Sequence, residues 1–124
     1  MAVKVIDASA LAAILFAEPE AQKVICEIEQ CELAAPLLLP FELANVCLTK
    51  QRRHPSQHEN LLANFLLLEH MAIQYIEINM VHALLMAGER NLTVYDASYL
   101  LLSLELVAPL VTLDKRLANA VHRH

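Results

Sequence analysis

A chain of 124 residues fits one domain and leaves no room for a second, so residues 1–124 are read as a single domain. The composition is 57% hydrophobic and 5% aromatic with one glycine, Gly88, which favours helices on a small aliphatic sheet over an all-β fold with many tight turns. A formal net charge of -5 counts against a nucleic-acid partner, but catalytic carboxylates enter that sum and a bound cation would offset them.

The first element is a buried strand, Ala2 to Ile6, short and β-branched, with Asp7 directly after it. Ala8 to Ala17 is rich in Ala and Leu and reads as a helix. Asp7 separates its apolar stretch from Lys4, so the segment is not read as a targeting peptide. Pro19 suits the first turn of a second helix, which runs to about Gln30. Leu33 to Ala35 is a short strand closed by Pro36, and Leu39 to Arg53 is a helix with Pro40 near its start. Pro55 breaks the chain. Ser56 and Glu59 have capping-box spacing, predicting a helix from there to about His70. Ile73 to Ile78 alternates as a strand does, and Asn79 to Asn91 is helical. Thr93 and Asp96 form a second capping pair, opening a helix to about Val107. Pro109 leads into the short strand Leu110–Val111, and Asp114 opens a last helix to about Val121. Strands alternating with helices, often in pairs, predict an α/β fold: a short parallel sheet of about four strands with helices on both faces.

No uncharged apolar stretch approaches the roughly 18 residues that a membrane span needs. Cys26, Cys31 and Cys47 are odd in number and lack disulfide-framework or zinc-ribbon spacing. They predict reduced, mostly buried thiols in a cytoplasmic protein. His54 and His58 have metal-ligand spacing, but Pro55 interrupts the helix that such a pair requires. His122 and His124 belong to a terminal tail and carry little signal.

The chemistry lies in the acids. The chain has only three aspartates, Asp7, Asp96 and Asp114, and each sits where a strand or turn hands over to a helix in apolar surroundings. The plain reading of each is a helix cap or a first-turn acid facing the positive end of the helix dipole. Glu42 resists such a reading, because it lies between Leu37–Phe41 and Leu43–Val46, and glutamate is rarely buried without a partner. In a parallel sheet, residues just past the carboxyl ends of strands converge on one edge. Asp7 follows the first strand and Asp114 the last, and the helix starts bearing Glu42 and Asp96 reach the same edge. Four carboxylates there repel one another unless a cation holds them, and oxygen-only donors favour Mg²⁺ or Mn²⁺ over zinc. Such a site suits phosphodiester hydrolysis by metal-activated water. Lys115 and Arg116, flanking Asp114, are the candidate substrate contacts. Lys50, Arg52, Arg53 and His54 equally suit a helix C-terminus.

Four segments then resemble the motifs of one family in order: Val5-Ile6-Asp7-Ala8-Ser9-Ala10-Leu11, Pro40-Phe41-Glu42-Leu43-Ala44-Asn45, Tyr95-Asp96-Ala97-Ser98-Tyr99 and Leu110-Val111-Thr112-Leu113-Asp114-Lys115-Arg116-Leu117. They are similar to those of PIN domains, especially VapC-type toxins of bacterial toxin–antitoxin modules, from about Val3 to Ala118. The resemblance implies a PIN-like three-layer sandwich and an Mg²⁺- or Mn²⁺-dependent endoribonuclease. It implies Asp7, Glu42, Asp96 and Asp114 as catalytic metal ligands, with Ser9, Asn45 and Thr112 as supporting polar groups. It also implies an RNA substrate, a homodimer and a cognate antitoxin. Many relatives continue past the last helix into a further strand, which this sequence, ending at His124, lacks.

Leu61, Leu62, Phe65, Leu66 and Leu68 make an unusually apolar helix, read either as core or as a dimer or antitoxin surface. The alternative function is a non-catalytic RNA- or protein-binding domain of the same fold, which loss of one acid would have signalled. A phosphatase with an aspartyl nucleophile usually has a second aspartate two residues after the first, and Ser9 stands there instead.

Overall fold

The computed structural model describes residues 1–121. The expectations for His122 and His124 lie outside the described residues. Four parallel strands, β1 (Val3–Ile6), β2 (Glu32–Pro36), β3 (Ile73–Ile76) and β4 (Leu110–Val111), form one sheet in the order β3-β2-β1-β4. The helices are α1 (Ala8–Leu15), α2 (Ala21–Ile28), α3 (Leu39–Arg53), α4 (His58–Leu66), α5 (Met80–Arg90), α6 (Val94–Leu106) and α7 (Lys115–Val121). Among the described residues, no helix is long and apolar enough to cross a membrane.

The connectivity fixes the layers. The chain steps from β1 to β2 to β3 through α1–α4, then returns past its starting point to β4 through α5 and α6. Right-handed crossovers in opposite directions place the two helix groups on opposite faces. Covered on both faces, β1 ends in Val5 and Ile6, which point to opposite faces and are both wholly buried, while Lys4 nearer its start donates to the Glu27 carbonyl. Val5 aligns with Ala34 of β2 on one side and Leu110 of β4 on the other. Helix α6 packs on β1, β2, α5 and α7, so it is buried continuously from Ala97 to Ser103. On the other face α1 packs against α2 and α3, and α3 against α4.

Most predicted elements stand within a residue or two. One predicted device does not form. Residues Pro55–Gln57 make a 3-10 turn that absorbs Ser56, and neither this turn nor α4 has a side-chain cap, so the Ser56–Glu59 capping box is absent. A second 3-10 turn, Leu67–His70, takes the end of the expected helix. Within this stretch Leu61 and Leu68 are buried and Phe65 is half-buried, while Leu62 and Leu66 are exposed, so it serves both core and surface. The thiols depart from expectation as well. All three are free, but Cys47 is buried, Cys31 half-buried and Cys26 exposed, because α2 is a surface helix whose one buried residue is Val24.

Candidate metal centre

Strand order reverses between β1 and β4, and the residues after these two strands meet at that switch point. The Asp7 backbone N–H donates to the Val111 carbonyl (3.1 Å), which fixes the two strand ends side by side. Asp7 itself is only 4% exposed. Its Oδ1 accepts from the Ala10 backbone N–H (3.0 Å), capping α1, and from Ser9 Oγ (2.8 Å). Its Oδ2 accepts from Thr112 Oγ1 (2.5 Å). Both hydroxyl protons are thereby committed to Asp7. The 3.3 Å approach of Ser9 Oγ to Thr112 Oγ1 is therefore contact between two acceptors already in use. The same two oxygens accept from the loop beyond: Ser9 Oγ from Leu113 N–H (2.9 Å) and Thr112 Oγ1 from Asp114 N–H (3.0 Å). Ser9 and Thr112 thus tie the acid after β1 to the acid after β4.

Asp114 opens α7, its Oδ1 accepting from the Arg116 and Leu117 backbone N–H groups (2.9 and 3.4 Å). Asp96 does not cap α6. Thr93 does, accepting from the Asp96 N–H (3.1 Å), which leaves Asp96 in the first turn. Glu42, in the first turn of α3, accepts from the Tyr99 hydroxyl (2.6 Å). Tyr99 is almost fully buried, one turn beyond Asp96 on α6, and joins α3 to α6 through this bond.

Three of these acids are held above the ordinary carboxylate range. Burial raises Asp7 most, against the bonds from Thr112, Ala10 and Ser9, and the Asp114 charge raises it further. Burial also raises Glu42, opposed by Tyr99 and assisted by Asp96 and Asp7. For Asp96, burial leads, the charges of Asp114 and Asp7 add to it, and those of Arg116 and the Thr93 hydrogen bond oppose it. Asp7 and Asp96 are therefore each coupled electrostatically to the other three predicted acids, which links Glu42 and Asp114 through them.

The donor chemistry fits a hard divalent cation: carboxylates and hydroxyls, some dehydrated, raised in pKa partly by mutual repulsion. The acids nonetheless stand apart. Among the described residues, no three His, Cys, Asp or Glu side chains are placed to hold one ion together. Asp7 is turned to Ser9 and Thr112, and Glu42 to Tyr99, which settles each carboxylate on its own donors.

Of the remaining candidates, Lys115 and Arg116 are exposed at the start of α7. Asn45 is exposed one turn beyond Glu42, and among the described residues it is not drawn into the bonds around Asp7. Lys50 pairs with Glu18 (2.8 Å) and lies over the Phe16 ring, on a structural rather than a substrate contact. The sequence reading gave Tyr99 no role, though its spacing from Asp96 put it on the same helix. Beside the acids, an apolar groove of about 360 Å³ is lined by Phe41 and Tyr95, each one residue before a site acid, together with Leu37 and Met80.

A family model described as PIN domain matches residues 4–122. A crystal structure of PAE2754 from Pyrobaculum aerophilum is similar, with a TM-score of 0.67 and 26% identity, covering 98% of this chain and 81% of that one. A comparison with curated proteins finds no match.

Proposed function

The chain belongs to the PIN-domain family, and on that footing we propose that it is a metal-dependent endoribonuclease, the toxin of a toxin–antitoxin module. The family is typically a nuclease fold and generally uses divalent metal ions. The single observation that carries the reading to this chain is the electrostatic coupling of Asp7, Glu42, Asp96 and Asp114 at the switch point of the sheet.

In this reading the four acids would hold Mg²⁺ or Mn²⁺, which when bound would supply Lewis-acid polarisation of a phosphoryl oxygen and activation of water. The protein's own part is positioning. Ser9 and Thr112 fix Asp7, Tyr99 fixes Glu42, and the Asp114 cap sets the direction of α7. Lys115 and Arg116 would meet substrate phosphate beside the acids. A homodimer and a cognate antitoxin belong to the same proposal. Support for protein partners comes from the apolar side chains that α5 leaves exposed at Met80, Val81, Leu84 and Leu85, and from Leu62 and Leu66 on α4.

The test is cleavage of structured and single-stranded RNAs by protein freed of any bound inhibitor. Cleavage with Mg²⁺ or Mn²⁺ that stops in excess EDTA is expected. Undiminished cleavage in EDTA would refute the metal mechanism, and no cleavage of any RNA would refute the enzyme.

A further inference from the structure

We propose that the apolar groove beside the acids is a stacking subsite for an unpaired guanine base of the RNA strand, with Phe41 and Tyr95 as its platforms and Glu77 as the group that recognises the base. The proposal rests on the ribonuclease reading above and names the base that the same site takes.

The chain has six aromatic residues, three Phe and three Tyr. Four of them are buried or half-buried. The other two, Phe41 and Tyr95, are 79% and 62% exposed, and both line this groove. Unpaired bases stack on such rings, and a base inside a duplex does not reach them. The groove volume of about 360 Å³ lies at the lower end of the range for small-molecule pockets, about 300–1,000 Å³, and suits one planar group.

Glu77 decides what that group is. Among the described residues it is the one charged side chain lining the groove, and it is exposed, with no hydrogen bond or ion pair to them. Its carboxylate repels a phosphate and gains nothing from an apolar side chain of a protein partner. It accepts N–H donors. Guanine offers two parallel donors, N1–H and the N2 amino group, which match the two carboxylate oxygens as a guanidinium fork does. Adenine, cytosine and uracil each set an acceptor beside a donor on the same edge. Ser98, the buried hydroxyl in the groove wall, already donates to the Val94 carbonyl (2.8 Å) and supplies no competing donor.

Position ties the groove to the chemistry. Pro36 ends β2, and Glu77 and Ile78 follow β3, so the groove lies on the same carboxyl-terminal edge of the sheet as the acids after β1 and β4. Phe41 directly precedes Glu42 on α3, and Tyr95 directly precedes Asp96 on α6, with consecutive Cα atoms about 3.8 Å apart. The bond from Tyr99 to Glu42 (2.6 Å) joins the two helices here. A strand with its scissile phosphate at the acids therefore brings an adjoining base onto the rings.

The experiment measures kcat and KM for single-stranded RNA oligomers with Mn²⁺, once the cuts in a mixed-sequence oligomer have been mapped. Guanine should flank the cut. Phe41→Ala and Tyr95→Ala should each raise KM about fivefold or more, the loss expected when a base loses its stacking partner. Both side chains are exposed, so the melting temperature should not change. Tyr95→Phe keeps the ring and should recover most of what Tyr95→Ala loses. Inosine in place of the flanking guanine lacks the N2 amino group. It should raise KM severalfold for wild type and leave that of Glu77→Ala unmoved. Wild-type KM in both alanine ring variants overturns the subsite and leaves the ribonuclease standing. Equal inosine penalties in wild type and Glu77→Ala overturn the assignment to guanine. If the wild type cleaves no RNA, the ribonuclease reading fails and the subsite with it. If either alanine ring variant sediments as a smaller species than wild type, a second copy of the chain covers the groove and the base subsite is wrong.

Discussion

Among the described residues the Tyr99 hydroxyl has one hydrogen-bond partner, Glu42, and that bond opposes the burial that raises the glutamate. The hydroxyl donates to the carboxylate and so favours its ionised form, against burial and the charges of Asp96 and Asp7. Tyr99 remains a donor throughout the neutral range, because burial first, then its bond to Glu42, pushes its own pKa upward. In Tyr99→Phe the opposing effects act unchecked, and the Glu42 pKa rises further. If catalysis needs ionised Glu42, the acidic limb of the rate–pH profile moves to higher pH, which a profile of both proteins would show. An unshifted limb would remove Glu42 from the titration that controls the rate. Stability carries the same sign. A carboxyl raised above its ordinary 4.5 contributes stability below that value, and loses it as pH rises through its folded pKa. The metal-free variant should therefore lose more stability than wild type over that window. None of this was legible in the sequence. Tyr99 and Glu42 are 57 residues apart, and only the packing of α3 and α6 brings them into contact.

Caps were the most legible features at the scale of elements, because they need only local chemistry. Asp7, Asn79, Thr93 and Asp114 each accept a backbone N–H in the first turn that follows them. Ser56 has equally good spacing and fails, because the proline before it begins a 3-10 turn instead. The end of α6 was read to the right place but not with the right strain. Val107 closes that helix at φ 50, in the left-handed region, with its side chain 91% exposed. A β-branched residue is unfavourable there by about 1–2 kcal/mol or more, and burial of the side chain offsets none of it. Val107→Gly removes the steric conflict but makes the unfolded chain more flexible, a cost of about 0.5–1 kcal/mol. The balance favours the variant by about 1 kcal/mol, or a rise of about 4 °C in melting temperature. A calorimetric melt that shows no rise would mean that Val107 stabilises the turn into β4 by a contact of its own.

At the scale of the molecule, alternation of strands and paired helices was enough to predict a parallel sheet, and a parallel sheet is enough to bring acids after separate strands to one edge. The resemblance named Ser9 and Thr112 as supporting groups and the capping pair named Thr93, but sequence could not supply the hold of Tyr99 on Glu42 or the oxygens that Ser9 and Thr112 meet on Asp7, since those bonds depend on how the elements pack. The resulting frame makes site and stability oppose each other, and Asp96→Asn measures the opposition. Without metal, Asp96 is disfavoured by burial and by the charges of Asp114 and Asp7, and favoured by Arg116 and Thr93. Its first-turn charge also gains roughly 0.3–1 kcal/mol from the helix dipole. The raised pKa says that the unfavourable terms win. The amide should therefore leave metal-free protein as stable or more stable, by on the order of 1 kcal/mol at most, because the carboxyl is partly solvated and its interactions are screened. Adding Mn²⁺ should reverse the ranking. An ion that binds only the folded state stabilises it by about 2.7 kcal/mol at a hundredfold excess over Kd, or about 10 °C for a chain of this size. Wild type should show that rise, and the variant, lacking one carboxylate, a much smaller one, together with loss of RNA cleavage. Equal rises in the two proteins would place the ion away from Asp96. If neither protein responds, the four acids are a structural cluster, and the repulsion among them is simply what this fold tolerates.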